Sequence, residues 1–198
     1  MKKQILKYKI TLIEDMLGTT PKSKEIFTDH IQNKAVEKNL LTQEQVDEEL
    51  KSVGDLEEKG WTGFMSDEKG LFMFNYAFKG FLKAAGNVLK EQLKIKSLKN
   101  KIGDFVFVYP RKIYFGKKEP DGVVERSLRA ETMQGPRVCL AKSDKLDAGT
   151  IFAIEIHLIE HKEITKETIE EIMQYGQLKG LLQFRNGGYG AFVFEEIK

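Results

Sequence analysis

The 198-residue sequence is poor in the residues that hold together small secreted or metal-binding domains. It has one cysteine, Cys139, and three histidines. A single cysteine excludes an internal disulfide and favours a reducing cytoplasm, and the absence of a Cys/His cluster argues against a structural zinc site. Cys139 lies in the apolar run 138–141, which predicts a small core residue. We therefore expect no metal ion and no other cofactor.

Long apolar runs and a large excess of one charge are also missing. No run approaches the roughly 20 apolar residues of a bilayer-spanning helix, and the start Met1-Lys2-Lys3 lacks the apolar core of a signal peptide. We expect a soluble cytoplasmic protein with no membrane partner. Charged residues make up 31% of the chain, yet the formal net charge is only +2. That balance permits a nucleic-acid partner, provided that Lys and Arg are arranged locally.

A hydrophobic content of 41% predicts one domain over residues 1–198, with insertions. Residues 5–13 alternate as a half-buried strand with a basic outer face, and residues 150–159 alternate with His157 outward. The sheet position of His157 favours a structural or ligand-stacking role over catalysis. Apolar stripes predict helices from Asn75 and from Thr165 or Thr168, and a capping box predicts a short helix over 42–53.

Residues 104–109 and 191–195 complete the predicted sheet. The first is apolar on both faces, which predicts a central strand. The order of elements predicts an α+β fold with a ferredoxin- or RRM-like antiparallel sheet. The helices should pack on one face of it. A helical and loop insertion is expected at about 22–70, with Trp61 pinning its polar second half to the body.

The most informative stretch runs from Gly176 to Phe192, from the last turns of a helix to the beginning of a strand. Its glycines permit positive φ and the close approach of another backbone. Arg185 offers a planar cation suited to phosphate, and Tyr189 offers a flat ring for a base. The pattern also fits a plain helix-to-strand turn, with Arg185 exposed or paired with Glu195 or Glu196. The candidate binding residues here are Arg185, Asn186, Gly187, Gly188, Tyr189 and Gly190.

Further cations fall in two segments. Lys79 and Lys83 lie one turn apart on the helix from Asn75. The segment 126–137 contains Arg126, Arg129 and Arg137 but a single acid. Such a cluster indicates either a phosphate or partner surface, or arginines that pair with acids elsewhere in the fold.

Three segments together resemble the repeat-associated mysterious protein (RAMP) superfamily. Asn75-Tyr-Ala-Phe-Lys79-Gly80-Phe-Leu-Lys83 is similar to its helix start SSLKGxxR, with Tyr-Ala replacing Ser-Ser. Gly180-Leu-Leu-Gln-Phe-Arg185-Asn-Gly-Gly188-Tyr-Gly190-Ala-Phe192 is similar to its C-terminal glycine-rich loop, with Leu-Leu-Gln replacing part of a glycine cluster. Ala148-Gly149-Thr150-Ile151-Phe152 is similar to the start of one of its strands.

The combination is most similar to the CRISPR effector-complex backbone subunits, which coat guide RNA, and to stand-alone proteins of phages and prophages. The resemblance implies a core that binds single-stranded nucleic acid, RNA in particular, along its backbone. Phosphates would contact Lys79, Lys83, Arg129, Arg137 and Arg185, and Tyr189 would stack. It also implies that the glycine-rich loop lies near the Lys79/Lys83 helix, with free glycine amides as extra donors.

Two other functions stay open. A ribonuclease would use Asp29 or His30, because some relatives cut RNA with an Asp or a His, but the neighbours of both residues depart from the family pattern. A protein–protein module, such as a phage anti-CRISPR or a mimic of a CRISPR backbone subunit, would bind a CRISPR-related protein or another copy of the chain. We favour a non-catalytic protein, because no nucleophile, base and orienting group can be assembled from this sequence.

Overall fold

The computed structural model describes residues 2–22, 60–132 and 135–197, with the backbone alone for 128–132 and 135–139. In chain order its strands and helices are β1 (Lys3–Leu12), β2 (Met16–Leu17), β3 (Thr20–Pro21), β4 (Trp61–Gly63), β5 (Met65–Asp67), β6 (Gly70–Phe74), α1 (Asn75–Leu89), α2 (Leu98–Phe105), β7 (Val106–Tyr109), β8 (Lys112–Tyr114), β9 (Gly122–Thr132), β10 (Gly135–Leu146), β11 (Ile151–Ile159), α3 (Lys166–Gln174) and β12 (Phe192–Glu196). The predicted helix over 42–53 lies outside the described residues.

The central sheet has four antiparallel strands in the order β12-β1-β11-β7. Taken with α1 and α3, the chain runs β1-α1-β7-β11-α3-β12, which is the ferredoxin-like arrangement. The protein is therefore α+β with a ferredoxin- or RRM-like sheet, as the sequence predicts. All four predicted strands pair in this sheet.

Alternation decides which face of the sheet is buried. On β1 the buried side chains are Leu6, Tyr8, Ile10 and Leu12, and on β11 they are Phe152, Ile154, Ile156 and Leu158. These positions face each other in register, for example Tyr8 opposite Ile154. The intervening residues, including Lys7 and Lys9, lie on the opposite face, which confirms the basic outer side predicted for β1.

The helices α1 and α3 cover the inner face. Phe78 and Phe81 of α1 pack against Phe192 of β12, with ring centroids 5.8 and 5.2 Å apart. Helix α3 is capped by Thr165, whose hydroxyl oxygen accepts a hydrogen bond from the Thr168 amide at 3.4 Å. Both helices begin where the sequence predicts: α1 at Asn75, from its apolar stripe and without a side-chain cap, and α3 directly after its cap Thr165.

The prediction for residues 104–109 is wrong in two respects. Asp104 and Phe105 belong to α2, and β7 is an edge strand of the central sheet. Its apolar residues alternate between two environments: Val106 and Val108 are buried, whereas Phe107 and Tyr109 are exposed on the outer face. A strand that is apolar on both faces is not always central, since aromatic side chains can stack on the outer surface of a sheet.

A second sheet has the order β2-β10-β4-β3, and β9 pairs with β10. Strands β9 and β10 are 11 and 12 residues long and form an antiparallel hairpin, with Gly122 opposite Lys145 at its base. A third sheet has the order β5-β6-β8. The sequence predicts a helical and loop insertion at about 22–70, but β4 and β5 lie in its second half. Pairing with the distant β10 stabilises β4, which has no local strand pattern, and β5 pairs with the adjacent β6.

Trp61 anchors β4 to the hairpin. Its ring nitrogen donates to the Asp144 carboxylate at 2.8 Å, and Lys22 pairs with the same carboxylate at 2.8 Å. The predicted anchoring role of Trp61 is therefore confirmed. The Lys22 ammonium also lies 4.2 Å from the Trp61 ring centroid. Because Asp144 binds both Lys22 and Trp61, this one carboxylate joins the two chain segments that flank residues 23–59.

Candidate nucleic-acid interface

The helix that leads toward the glycine-rich stretch is shorter than predicted. Helix α3 ends at Gln174, and one 3-10 turn over Tyr175–Gln177 follows. Gly176 is buried, as the apolar stripe predicts, and a Cβ there would lie 2.3 Å from the Phe192 ring. The turn therefore depends on glycine, and it directs the chain toward the loop that precedes β12.

Residues 181–190 form a loop closed by backbone contacts. The Leu181 amide donates to the Gly190 carbonyl at 2.9 Å, and the Gly190 amide donates to the Asp15 carbonyl at 2.8 Å. A Cβ on Gly180 would lie 2.0 Å from the Gly190 carbonyl carbon, and Gly190 has a φ of +74°. Two backbones do approach closely, as the glycines predict, but both belong to this chain.

The glycine amides are not free donors. Those of Gly187 and Gly188 donate to the carbonyls of Phe184 and Arg185 at 2.8 and 3.2 Å, and that of Gly190 is used as described above. The expectation that these amides are free is therefore wrong, because the loop uses them to hold its own shape. Nucleic-acid binding by these glycines stays a prediction. Gly188 has a φ of +88° and open space where a Cβ would be, so it lies on the exposed side of the loop.

Phe184 lies near the start of this loop, and its backbone has the left-handed conformation, with a φ of 55°. Its ring is 45% exposed. The Arg126 guanidinium of β9 lies 4.5 Å from the ring centroid, and the Tyr189 ring lies 5.9 Å away on a tilted plane. A cation and two aromatic rings thus form one cluster at the junction of loop and hairpin.

A buried polar network fixes Arg126 and the loop to each other. Arg126 donates to the Ser143 hydroxyl at 2.8 Å, and Ser143 donates to the Gln183 side-chain oxygen at 2.9 Å. Thr62 of β4 lies 2.9 Å from both the Ser143 hydroxyl and the Gln183 oxygen. Ser143 is fully buried, so these bonds satisfy groups that would otherwise be costly to remove from water. The network joins β4, β9, β10 and the loop.

Arg185 follows Phe184 and is only partly buried. Glu195 pairs with Lys9, and Glu196 pairs with Lys166 at 2.6 Å. Neither acid binds Arg185, and its guanidinium has no hydrogen bond or ion pair with any residue in the part of the chain that the structure describes. Asn186 is exposed beside it.

Tyr189 also lines an open groove of about 520 Å³ with Ile13, Gln177 and Leu178. Leu178 is 78% exposed. Asp15 also lines the groove. A hydrogen bond from Lys145 holds the pKa of Asp15 below its usual value, and the Ala148 amide acts in the same direction. The groove is thus mixed, with apolar walls and a carboxylate that is already paired.

Lys79 and Lys83 contact a different part of the protein. Lys79 donates to the Gly103 carbonyl at 2.8 Å, and its ammonium lies 4.8 Å from the Phe107 ring centroid. Phe107 is on β7, at the opposite edge of the central sheet from β12, which follows the loop. Burial, and then repulsion from Lys83, lower the pKa of Lys79. The contacts of Lys79 and those of the loop share no residue.

Arg129 and Arg137 lie on the two strands of the hairpin. Arg129 is opposite Val138 and Arg137 is opposite Ala130, toward the turn that joins β9 to β10. Only the backbone is described for these two arginines, so their proposed phosphate contacts stay predictions. The same holds for Cys139, whose predicted core position stays a prediction.

Asp29 and His30 lie outside the described residues. Across residues 2–22, 60–132 and 135–197, no group of three or more His, Cys, Asp or Glu side chains is arranged to hold a metal ion. Within the same ranges, no helix combines the length and apolarity needed to cross a membrane.

Several residues of the junction are not predicted from the sequence. Phe184, Gln183, Thr62 and Ser143 were not proposed, and Arg126 was noted only as part of a cluster. The glycine-rich pattern predicts a role for the glycines and their immediate neighbours, but it does not indicate that the exposed ring belongs to Phe184. Arg126 and Phe184 lie 58 positions apart in the sequence, so no local periodicity could reveal their contact.

Comparisons with known proteins support the fold. No protein-family model and no curated protein matches the sequence. Among solved structures, a chain of the cryo-EM structure of the type III-B Cmr-beta bound to cognate target RNA matches with a TM-score of 0.54 at 13% identity. The match covers 100% of this chain and 61% of that chain, so this protein spans about three fifths of its length. At this identity the likeness is one of fold.

Proposed function

We propose that this chain is a non-catalytic protein that binds single-stranded nucleic acid, with RNA preferred. The proposal rests on the arrangement of side chains at the junction of the glycine-rich loop and the β9–β10 hairpin. There the exposed Phe184 ring is backed by Arg126, and the Arg185 guanidinium has no partner within the described residues. An exposed aromatic ring can stack on a base, and a guanidinium that is not paired with a carboxylate can bind the phosphate of the same nucleotide.

The fold supports the same proposal. A chain with this fold occurs in a structure that contains target RNA, and the three motifs resemble RAMP proteins in the same order along the chain. We infer a RAMP-type, CRISPR-related protein, of the stand-alone kind found in phages and prophages. Arg129 and Arg137, on the hairpin beyond Arg126, would extend the phosphate contacts along the strand of nucleic acid.

The test is binding of a labelled single-stranded oligonucleotide, followed by fluorescence anisotropy over a range of salt concentrations. Arg185→Ala is expected to weaken binding of all sequences and to reduce the slope of log affinity against log salt by about 0.7, the value for one phosphate contact on a single strand. Arg185→Lys should keep most of the slope, because it keeps the positive charge. It does not keep the planar donor group of arginine.

The matched control is Lys96→Ala, which removes one charge from an exposed position between α1 and α2. It should leave affinity and slope unchanged. RNA and DNA of one sequence are compared in parallel, and the RNA is recovered after incubation with and without magnesium to check that it is intact. A wild-type chain that binds neither RNA nor DNA at low salt would overturn the proposal.

One observation favours a second function, a module that binds another protein. Leu178 is 78% exposed at the rim of the groove formed with Ile13 and Tyr189, and a large exposed apolar side chain is typical of protein interfaces. A second copy of the chain or a CRISPR-related protein would then cover this groove. Sedimentation of wild type and Leu178→Ser tests self-association, and RNA binding by Leu178→Ser separates the two functions.

A further inference from the structure

The outer face of the central sheet carries two large aromatic rings at its β7 edge. Val106 and Val108 point into the core, whereas Phe107 and Tyr109 are 37% and 44% exposed. Helices α1 and α3 cover the other face of the sheet. Neither ring belongs to the buried core of the described residues, so the fold does not require both of them to be aromatic.

The Tyr109 ring is held in place from one side. It stacks on the His157 ring of β11, with centroids 4.3 Å apart and planes 32° apart. In the strand register, Phe107 lies opposite His157 and Tyr109 lies opposite Glu155. Because one side of Tyr109 rests on His157, a base that stacks on its free side meets a ring that is already ordered. Such preorganisation reduces the entropy cost of binding.

Two lysines lie at the same edge. The Lys79 ammonium is 4.8 Å from the Phe107 ring centroid, and Lys83 follows one turn later on α1. Lys83 has no hydrogen bond or ion pair within the described residues. Burial, and then repulsion between the two ammonium groups, lower the pKa of Lys79, whereas Asp104 raises it. A bound anion would relieve that repulsion.

We propose that Phe107 and Tyr109 form a stacking site for unpaired bases of single-stranded nucleic acid, with Lys79 and Lys83 contacting the adjacent phosphates. This rests on the proposed function but assigns it a second surface, on the opposite edge of the sheet from the glycine-rich loop. It also accounts for why Lys79 and Lys83 do not contact that loop.

The local charges favour nucleic acid over a protein as the occupant. Lys79 lies 4.8 Å from the Phe107 ring centroid and Lys83 follows one turn later on α1. Glu155, opposite Tyr109 in the register, already faces Lys7 at 3.8 Å and His157 at 3.4 Å. Every base has a flat face that can stack on an aromatic ring, so this site would tolerate any sequence. The lysines would contribute to the salt dependence of binding.

The experiment compares an ordinary single-stranded RNA with an oligonucleotide of equal length in which most bases are removed and all phosphates kept. Tyr109→Ala and Phe107→Ala should each weaken binding of the ordinary RNA on the order of tenfold. They should leave binding of the abasic strand and the salt slope unchanged. Lys83→Ala should weaken binding of both strands and reduce the slope by about 0.7. Tyr109→Phe, which keeps the ring, should bind like the wild type.

The matched control is Ile151→Ala, which removes an exposed apolar side chain from the opposite end of the same sheet face. Equal losses in Ile151→Ala and Tyr109→Ala would overturn the proposal, as would unchanged RNA binding by both ring variants. If Arg185→Ala weakens binding while the ring variants do not, the proposed function stands and this second site is wrong. A ring variant that changes self-association in sedimentation, but not RNA binding, would identify a protein interface instead.

Discussion

The central sheet and the second sheet bury different chemistry. The central sheet and its two helices meet through apolar side chains such as Ile10, Ile154, Phe78 and Phe192, all almost completely buried. Three of the four buried polar residues in the described part of the chain, Thr20, Ser143 and Asp144, lie instead in the second sheet. The first region is stabilised by removal of apolar surface from water, and the second by specific pairs of donors and acceptors.

This difference separates the scaffold from the candidate site. An apolar core tolerates substitutions of similar volume, because its attraction has no direction. The hydrogen bonds among Arg126, Ser143, Gln183 and Thr62 have fixed partners, so they set the position of the glycine-rich loop against the hairpin. Mutations in the two sheets should therefore affect stability and loop position in different proportions.

The largest effect is expected in the central sheet. Phe192→Ala removes a fully buried ring that packs on Phe78, on Phe81 and on Gly176. It should lower the free energy of unfolding by about 3–5 kcal/mol, as lost burial and a residual cavity combine. Urea denaturation followed by circular dichroism measures this, with Val88→Ala, at an exposed position of α1, as control. A loss below about 1 kcal/mol would mean that this end of the core is not well packed.

Asp144→Asn tests the second sheet. The change removes the charge that pairs with Lys22 and leaves the Trp61 hydrogen bond possible. Lys22 is then left largely buried without an opposite charge. Because its side chain is still about a fifth exposed, the expected loss is about 1–3 kcal/mol, less than for a fully buried pair. The double variant with Lys22→Met should recover part of it in the same assay.

The sequence predicted the central sheet well because its signals are local. Alternation in 5–13 and 150–159 and the stripe from Phe78 to Leu89 are each contained in one element. The edge position of β7 was missed, since a short apolar strand gives no sign of how many neighbours it has. The second sheet was missed for a related reason: β4 pairs with β10 across about 80 positions, with Trp61 opposite Lys142.

The candidate site was predicted in part. The glycine pattern correctly located a tight loop at Gly180 to Gly190. It did not distinguish glycines that let the chain pack on itself from glycines that face a ligand, because both need the same residue. Lys79 and Lys83 were placed on the correct helix, but which loop they face depends on the crossover of the chain and not on their spacing.

Ser143→Ala is expected to reduce the free energy of unfolding less than Phe192→Ala or Asp144→Asn does. It should have a larger effect than they do on the position of the glycine-rich loop. It removes the acceptor of Arg126 and one of the two hydroxyl groups near Gln183. A loss of about 1–2 kcal/mol is expected, because a buried donor loses its partner. Hydrogen exchange of residues 181–190 should accelerate more than exchange in β1. The control is Ser127→Ala, at an exposed position on the same hairpin. Equal acceleration in both variants would contradict the coupling.

The smallest effect is expected where the two regions meet, at Asp15. Its side chain accepts hydrogen bonds from Lys145 at 2.8 Å and from the Ala148 amide at 3.0 Å, and its carbonyl accepts the Gly190 amide. The Lys145 bond is the main reason that the pKa of Asp15 lies below its ordinary value of 3.8. Asp15→Asn should cost less than about 1 kcal/mol at neutral pH, because the pair is partly exposed and screened.

The pH dependence of that cost gives the sharper test. A carboxyl group with a lowered pKa in the folded state stabilises the protein above its unfolded-state pKa, and this stability is lost as pH falls through the folded-state value. The difference in unfolding free energy between wild type and Asp15→Asn should thus stay constant from about pH 8 to pH 5 and shrink below about pH 4. Glu14→Gln, at the exposed neighbouring position, is the control. A difference that does not change down to about pH 2 would mean that Lys145 does not hold this carboxylate in solution.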